Sequence, residues 1–169
     1  MKPLSETYKE LGIEFTLPIE IRDTKGRRTY YEGSDGRWNK REYDDDGNQT
    51  YYENSDGYWN KREYDSKGNQ TYYENSDGHW FRQEYDSDGN KTYSENSEGF
   101  WCKKEYDSDG NQTYSENSYG YWFEKEYDSK GNLTYYENSK SSKRGTPRSQ
   151  SCDGKVVEIG GIKYELKAL

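Results

Sequence analysis

The sequence predicts an all-β fold: a single-layer, curled antiparallel meander of about 11–12 strands built from hairpin repeats, with a short N-terminal helix and a C-terminal β-hairpin cap. Three observations lead there. The tryptophans fall at Trp38, Trp59, Trp80, Trp101 and Trp122, a strict spacing of 21 residues. Between them, turn-forming runs such as "NSDG" and "DSKGN" alternate with runs rich in Tyr, Trp and Thr, which suit a pleated surface. From Arg22 to Asn132 there is no Val, Ile, Leu, Met or Ala, so a two-layer sandwich or barrel core cannot be built from that stretch.

In chain order, residues 1–27 form an N-terminal cap. Leu4, Tyr8 and Leu11 recur at helical spacing, with Pro3 early and Gly12 as a stop, and "FTLPIEIRD" (15–23) follows as a first strand. Residues 28–139 hold the repeats. One copy reads "NQTYYE", "NSDG", "YWNKREY", "DSKGN", which is strand, turn, strand, turn, with Gly supplying a positive φ in each turn. The basic, Ser-rich run 140–151 reads as a linker, and "KVVEIGGIKYEL" within 152–169 as a hairpin.

Register follows from the turns. With Glu53 opposite Tyr58 and Glu63 opposite Thr71, alternation puts Tyr51, Glu53, Tyr58, Asn60, Arg62 and Tyr64 on one face. Thr50, Tyr52, Trp59, Lys61 and Glu63 take the other. Stacked copies then make Tyr51-type and Tyr43-type ladders on one side and a Trp ladder on the other. Along the first face the copies turn apolar toward the C-terminus, through Phe81, Phe100, Cys102, Tyr121 and Phe123. The expectation is that the C-terminal hairpin folds back to bring Val156, Val157, Ile159 and Ile162 there. A monomer then results, and dimerisation through the same patch is the alternative.

The charge is uneven. Residues 44–138 carry 9 basic and 22 acidic groups, a net of −13, within a total of −8. Such a middle repels nucleic acid and membrane phosphates and attracts basic surfaces, so no direct nucleic-acid or membrane binding is expected. No stretch could span a membrane as a helix and the N-terminus has no signal-peptide pattern, so the expected location is the cytoplasm of a bacterial host. Cys102 and Cys152 form no CxxC pair, and His79 is the single histidine, which argues against a metal site or cofactor.

"DSDGN" (86–90, 107–111) resembles the start of a calcium loop, but Lys91 and Ser97 stand where an EF-hand needs Gly and Glu, so it reads as a turn. The NxT triplets read as turn-to-strand joints. A single-layer sheet offers no desolvated pocket to separate two carboxylate pKa values, so no enzyme activity and no catalytic residues are expected.

At "EYDSKGNQTYYENSDGYWNKREYDSKGN" the chain resembles the RHS or YD repeat, through Tyr43-Asp44, Tyr64-Asp65, Tyr85-Asp86, Tyr106-Asp107 and Tyr127-Asp128, with Gly47, Gly68, Gly89, Gly110 and Gly131 following. It is also similar to YwqK- or MORN-like modules and to tandem-repeat bacteriophage accessory proteins. The RHS/YD resemblance implies a strip of β-hairpins; the acidic, aromatic-rich repeats point to a non-enzymatic protein that docks onto a basic partner, and the similarity to phage accessory proteins implies a bacteriophage inhibitor of a host or defence protein. The residues expected to meet that protein partner are Arg37, Arg41, Tyr58, Asn60, Arg62 and Tyr64 on one face, with Trp38, Trp59 and Trp80 as the opposite platform. A carbohydrate-binding repeat module and a structural spacer or particle component are the alternative functions.

Overall fold

A computed structural model of the chain describes residues 2–9, 11–147, 156–159 and 162–165. One short helix, α1 (Leu4–Lys9), precedes the strands. The first strands are β1 (Ile19–Arg22), β2 (Arg28–Glu32), β3 (Trp38–Tyr43), β4 (Gln49–Asn54) and β5 (Trp59–Tyr64). Next come β6 (Gln70–Asn75), β7 (Trp80–Tyr85), β8 (Lys91–Asn96), β9 (Trp101–Tyr106) and β10 (Gln112–Asn117). The last of the array are β11 (Trp122–Tyr127), β12 (Leu133–Asn138) and β13 (Lys143–Arg144), and β14 (Val156–Ile159) and β15 (Ile162–Glu165) stand apart. The hydrogen-bonded order of the 13-stranded sheet is simply β1 to β13, an antiparallel meander, while β14 and β15 pair only with each other. This is the repeated-hairpin architecture that the YD-type resemblance implies. The chain forms two compact units. The first runs to Glu84 and takes in Glu95–Glu98, and the second takes Tyr85–Ser94 and the chain from Gly99 onward.

Each repeat has two turns, and each turn has its own chemistry. In the first, the Asn54 N–H bonds the Tyr58 carbonyl, and Asn54 Oδ1 accepts the N–H groups of Asp56 and Tyr58. The loop is therefore the three residues 55–57, with Gly57 at φ 84. In the second, Asp65 plays the same part: its Oδ1 accepts from Lys67 and Asn69, and its Oδ2 from the Asn69 amide. Those bonds, led by that of the Asn69 side chain, hold the Asp65 carboxyl below its ordinary pKa.

After the second turn the ladder is irregular. Tyr64 lies opposite Gln70 but Glu63 opposite Tyr72, so Thr71 is an extra residue, a β-bulge. The same bulge recurs at Thr29 and Thr50. The Tyr of each Tyr-Asp pair serves this joint: Tyr64 Oη donates to the Gln49 carbonyl at 3.2 Å, and Tyr106 and Tyr127 repeat the bond on Lys91 and Gln112. Each such bond contributes about 0.5–1.5 kcal/mol, small singly but repeated along the array.

The observed register corrects the expected faces. Glu53 lies opposite Trp59 rather than Tyr58, because Asn54 belongs to the ladder and the loop is one residue shorter than the four-residue "NSDG" reading. Glu63 lies opposite Tyr72 rather than Thr71 because of the bulge. Tyr51, Glu53, Trp59, Lys61 and Glu63 therefore share one face, and Tyr52, Tyr58, Asn60, Arg62 and Tyr64 the other. The Tyr51-type and Trp rows lie together, not on opposite sides.

The conventional core lies at the N-terminal end of the first unit, where Ile19, Tyr30 and Trp38 are buried and Leu4 packs against them. Glu32 is 1 % exposed there and anchors α1, accepting bonds from Ser5 N–H, Ser5 Oγ and Tyr30 Oη. Burial alone would raise its pKa, but those bonds outweigh it and hold the carboxyl below its ordinary value. In the second unit the repeat runs further than expected. Residues 143–144 of the segment read as a linker form β13 and pair with Tyr136 and Glu137, so the array has one strand more than the largest expected count. The C-terminal hairpin forms, with Val156 and Tyr164 exposed. The fold-back expected of it rests on Val157, Ile159 and Ile162, whose side chains lie outside the described residues, as does Cys152. Among the described residues no helix is long and apolar enough to cross a membrane.

Candidate binding face

With the register fixed, the rows of the repeat sort into two kinds. On the face of Tyr51 and Trp59 four rows are unchanged from copy to copy, and a fifth reads Lys, Lys, Arg, Lys, Glu from residue 40. Its unchanged rows read Tyr at 30, 51, 72, 93, 114 and 135, Glu at 32, 53, 74, 95, 116 and 137, Trp at 38, 59, 80, 101 and 122, and Glu at 42, 63, 84, 105 and 126. We term it the constant face. On the opposite, varied face the Tyr64-type row is constant but others change from copy to copy: Tyr, Tyr, Tyr, Ser, Ser, Tyr from residue 31, Asn, Asn, Phe, Cys, Phe from 39, and Arg, Tyr, His, Phe, Tyr from 37.

The constant face is closed on itself. Tyr51 Oη donates to Glu53 at 3.1 Å, Tyr72 to Glu74 at 3.3 Å and Tyr114 to Glu116 at 3.1 Å. Burial first, then the neighbouring Glu, raises the pKa of each of these phenols. Lys40 pairs with Glu42, Arg82 with Glu84 and Lys103 with Glu105 along the same strands. Trp38 is 6 % exposed in the N-terminal core, so it offers little platform, while Trp59 and Trp80 are half-buried.

In the first unit the varied face carries a continuous aromatic strip from β3 to β7. Arg41 lies over the Tyr52 ring at 5.7 Å, and Tyr52 meets Tyr58 at 6.2 Å between centroids. Tyr58 and Tyr73 share a bond between hydroxyls at 3.1 Å. Arg62 lies over Tyr73 at 5.8 Å, and Tyr73 stacks on Phe81 at 5.3 Å. All six side chains are half-buried. Four of the expected contact residues, Arg41, Tyr58, Asn60 and Arg62, are brought together here. Tyr64 lies at the bulge end of the same face, where its hydroxyl is used by the Gln49 carbonyl. Arg37 stands apart at the preceding turn, its side chain 80 % exposed beside Asp35.

Asn60 was expected as a contact but is 3 % exposed, and its Oδ1 has no hydrogen-bond partner. Tyr52 and Tyr73, the middle of the strip, escaped the sequence reading because it assigned Tyr52 to the Trp face. Their signal was present: they belong to a row that changes to Ser in later copies.

The second unit repeats the plan with different groups. Tyr121 and Tyr136 approach through their hydroxyls at 3.5 Å, Phe123 packs between their rings, and the Lys125 ammonium lies 4.6 Å from the Phe123 centroid. Cys102 is a half-buried free thiol, 3.6 Å from Ser115 Oγ. His79, in the first unit, is exposed, and its backbone N–H closes the Asn75 turn. The "DSDGN" aspartates act as turn acceptors, as Asp86 does for Asp88 and Asn90. Among the described residues no cluster of His, Cys, Asp or Glu is arranged to hold a metal ion. One open depression of about 340 Å³ lies in the second unit over Glu105, Tyr114, Glu124 and Glu126, and one of about 550 Å³ in the first over Ile21, Thr29, Tyr30, Lys40 and Tyr43.

No family model matches the chain, and no curated protein matches it. Among solved structures it is similar to the Photorhabdus luminescens Tc holotoxin pore, at 14 % identity and a TM-score of 0.39, over 75 % of this chain and 9 % of that one. It is similar to the crystal structure of TcdB2-TccC3-Cdc42 at 15 % identity and a TM-score of 0.42, over 72 % and 9 %. With TcdB2-TccC3 the identity is 11 % and the TM-score 0.45, over 74 % and 11 %. The chain thus spans no more than 11 % of the length of these three.

Proposed function

We propose that the chain is a non-enzymatic, macromolecule-binding repeat protein and that its varied face makes the contact. One observation carries this reading. Inside a single chain, the positions that build the hairpin are kept from copy to copy, and most of the positions that change gather on one face. A scaffold needs the same residue at the same place each time; a recognition surface needs different ones. Tyr, Arg and Asn on rigid strands suit such a surface, because aromatic anchors lose little rotamer freedom and guanidinium groups supply several donors. Most carboxylates of the constant face are engaged as Tyr acceptors or in ion pairs, which favours a scaffold role over acid–base chemistry.

The finer reading is an inhibitor of bacteriophage origin that engages a basic host or defence protein in the cytoplasm. It is supported by the net charge of the repeats and by the Asp-rich turns, where Asp45, Asp46, Asp88 and Asp109 are exposed. Affinity capture from bacterial lysate tests the assignment to a face. Three baits are compared: the native chain, Arg41→Ala/Tyr58→Ala/Arg62→Ala, and Lys61→Ala/Glu63→Ala. A partner lost with the varied-face bait and kept with the constant-face bait supports the reading. Loss with the constant-face bait alone overturns it.

A further inference from the structure

Once the register is known, the strand carboxylates from β2 to β7 fall on one face, while Glu20 of β1, paired with Arg22, lies on the other. The strand carboxylates Glu32, Glu42, Glu53, Glu63, Glu74 and Glu84 lie on the constant face. The charged strand residues of the varied face from β3 to β7 are Arg41 and Arg62. On the constant face Lys40 and Arg82 are ion-paired, and Lys61 lies over the Trp59 ring with Glu63 on its own strand. Among the described residues neither Arg41 nor Arg62 has a carboxylate within ion-pair distance, and each lies over a tyrosine ring instead. Two guanidinium groups therefore face outward without a counter-charge, on a chain that is acidic overall.

We propose that the strip running from Arg41 through Tyr52, Tyr58 and Tyr73 to Arg62 and Phe81 binds an extended, carboxylate-bearing protein segment. The spacing supports a segment of this kind. Arg41 lies opposite Tyr52, Tyr52 opposite Asn60, and Arg62 two residues beyond Asn60. The two arginines are thus two strands apart and two residues displaced, about 12 Å from the standard strand spacing and rise. In an extended peptide, side chains at i and i+4 point the same way about 13 Å apart. Two acidic residues at that interval can each meet one guanidinium in a charge-assisted bond while the residue between them on the same side lies on the tyrosines. A polyphosphate chain meets the same two arginines, but the surrounding carboxylates and turns repel it along its length. The proposal rests on the varied face being the contact face, and it gives the bound segment the charge opposite to that expected from net charge alone.

Fluorescence anisotropy with defined probes tests it, using the full chain at low and high salt. The probes are a threonine-rich peptide with glutamates at i and i+4, its lysine and glutamine counterparts, and oligo-dT. The glutamate peptide is expected to bind most tightly and to weaken with salt, and Arg41→Gln/Arg62→Gln is expected to reduce its affinity about tenfold. Circular dichroism of that variant, unchanged from the native chain, shows that folding is not the cause. The proposal is overturned if the lysine peptide or oligo-dT binds as tightly as the glutamate peptide. No binding by any probe, or no effect of the arginine substitutions, also overturns it. If the lysine peptide binds and Tyr52→Ala/Tyr73→Ala abolishes that binding, the face assignment stands and only the acidic occupant is wrong. If binding ignores every substitution on this face, both fail.

Discussion

Replacing Asn60 by phenylalanine is expected to make the first unit more stable, although it puts a large ring where a small amide is now buried. Asn60 is 3 % exposed and its Oδ1 meets no donor. An acceptor left in that condition costs about 1–3 kcal/mol. The next copy shows what the row does without it: Phe81 occupies the corresponding place and stacks on Tyr73 at 5.3 Å with the rings 16° from parallel. Asn60 lies opposite Tyr52 as Phe81 lies opposite Tyr73, so a comparable ring pair can form, contributing about 0.5–1.5 kcal/mol beyond its buried area. Against this stand the lost polar proximity of the Asn60 amide to the Tyr58 hydroxyl and some crowding against Asn75, together about 1–2 kcal/mol. The balance favours the variant by about 1 kcal/mol, or roughly 2–4 °C in melting temperature for a chain of this size. Thermal denaturation followed by tyrosine fluorescence and calorimetry is the assay. A melting temperature below that of the native chain would falsify the reasoning, because the ring pair would then not compensate for the lost amide. If the increase appears together with weaker partner capture, Asn60 is a residue kept for recognition at the expense of stability.

Glu32→Ala removes the acceptor shared by Ser5 and Tyr30 and is expected to cost about 2–4 kcal/mol, read as early proteolysis before residue 12. Gly145→Ala would drive a methyl into the Thr134 carbonyl oxygen at a φ of 79°, so β13 should detach and the amides of the β12 edge should exchange faster with solvent. Acidification acts on the turn aspartates together. Asp44, Asp65, Asp86, Asp107 and Asp128 all titrate below 3.8, chiefly through the following Asn side chain. Their stabilisation is therefore complete above about pH 4 and lost as the pH falls below it, which melting curves against pH should follow. At the alkaline end, Tyr30 is pushed up to about 12 by burial and then by Glu32, and Tyr135 to about 12 by its bond to Glu137. The stabilisation of Tyr30 is present below pH 10 and lost on approach to 12, so spectrophotometric titration should show late-ionising tyrosines that join the rest on unfolding.

The repeat, its strands, both turns and α1 were legible because period, Gly placement and Tyr/Thr-rich runs are written directly in the residues. What failed were details of one residue. Whether Asn54 closes the ladder or opens the loop depends on its side chain bonding Asp56 and Tyr58, which composition does not reveal. The bulge falls on Thr71, an ordinary strand residue with no Gly to mark it. The two errors offset each other over a full copy, so each ladder was internally right while the Tyr and Trp rows were joined to the wrong partners. β13 was missed for a related reason: the turn before it uses Ser141 at φ 63, where the other copies use Gly. Arg41, Tyr58 and Arg62 could be named from their spacing. Their lack of counter-charge became visible only when the carboxylates proved to be on the other side.

The bulge has an arithmetic consequence. A repeat of odd length conflicts with side chains that alternate every two residues, and copies joined without correction would present opposite faces in turn. In β4 to β6, Tyr51 aligns through Lys61 with Glu74. Counting along the chain, Glu74 is the copy of Glu53, so the offset is two residues and parity is preserved. Were Thr71 in regular pairing, Tyr51 would align with Tyr73, the copy of Tyr52, and inside and outside would swap at every repeat. One unpaired threonine per copy makes the odd repeat commensurate with the pleat, which is what allows copies to be added or lost without turning the protein over.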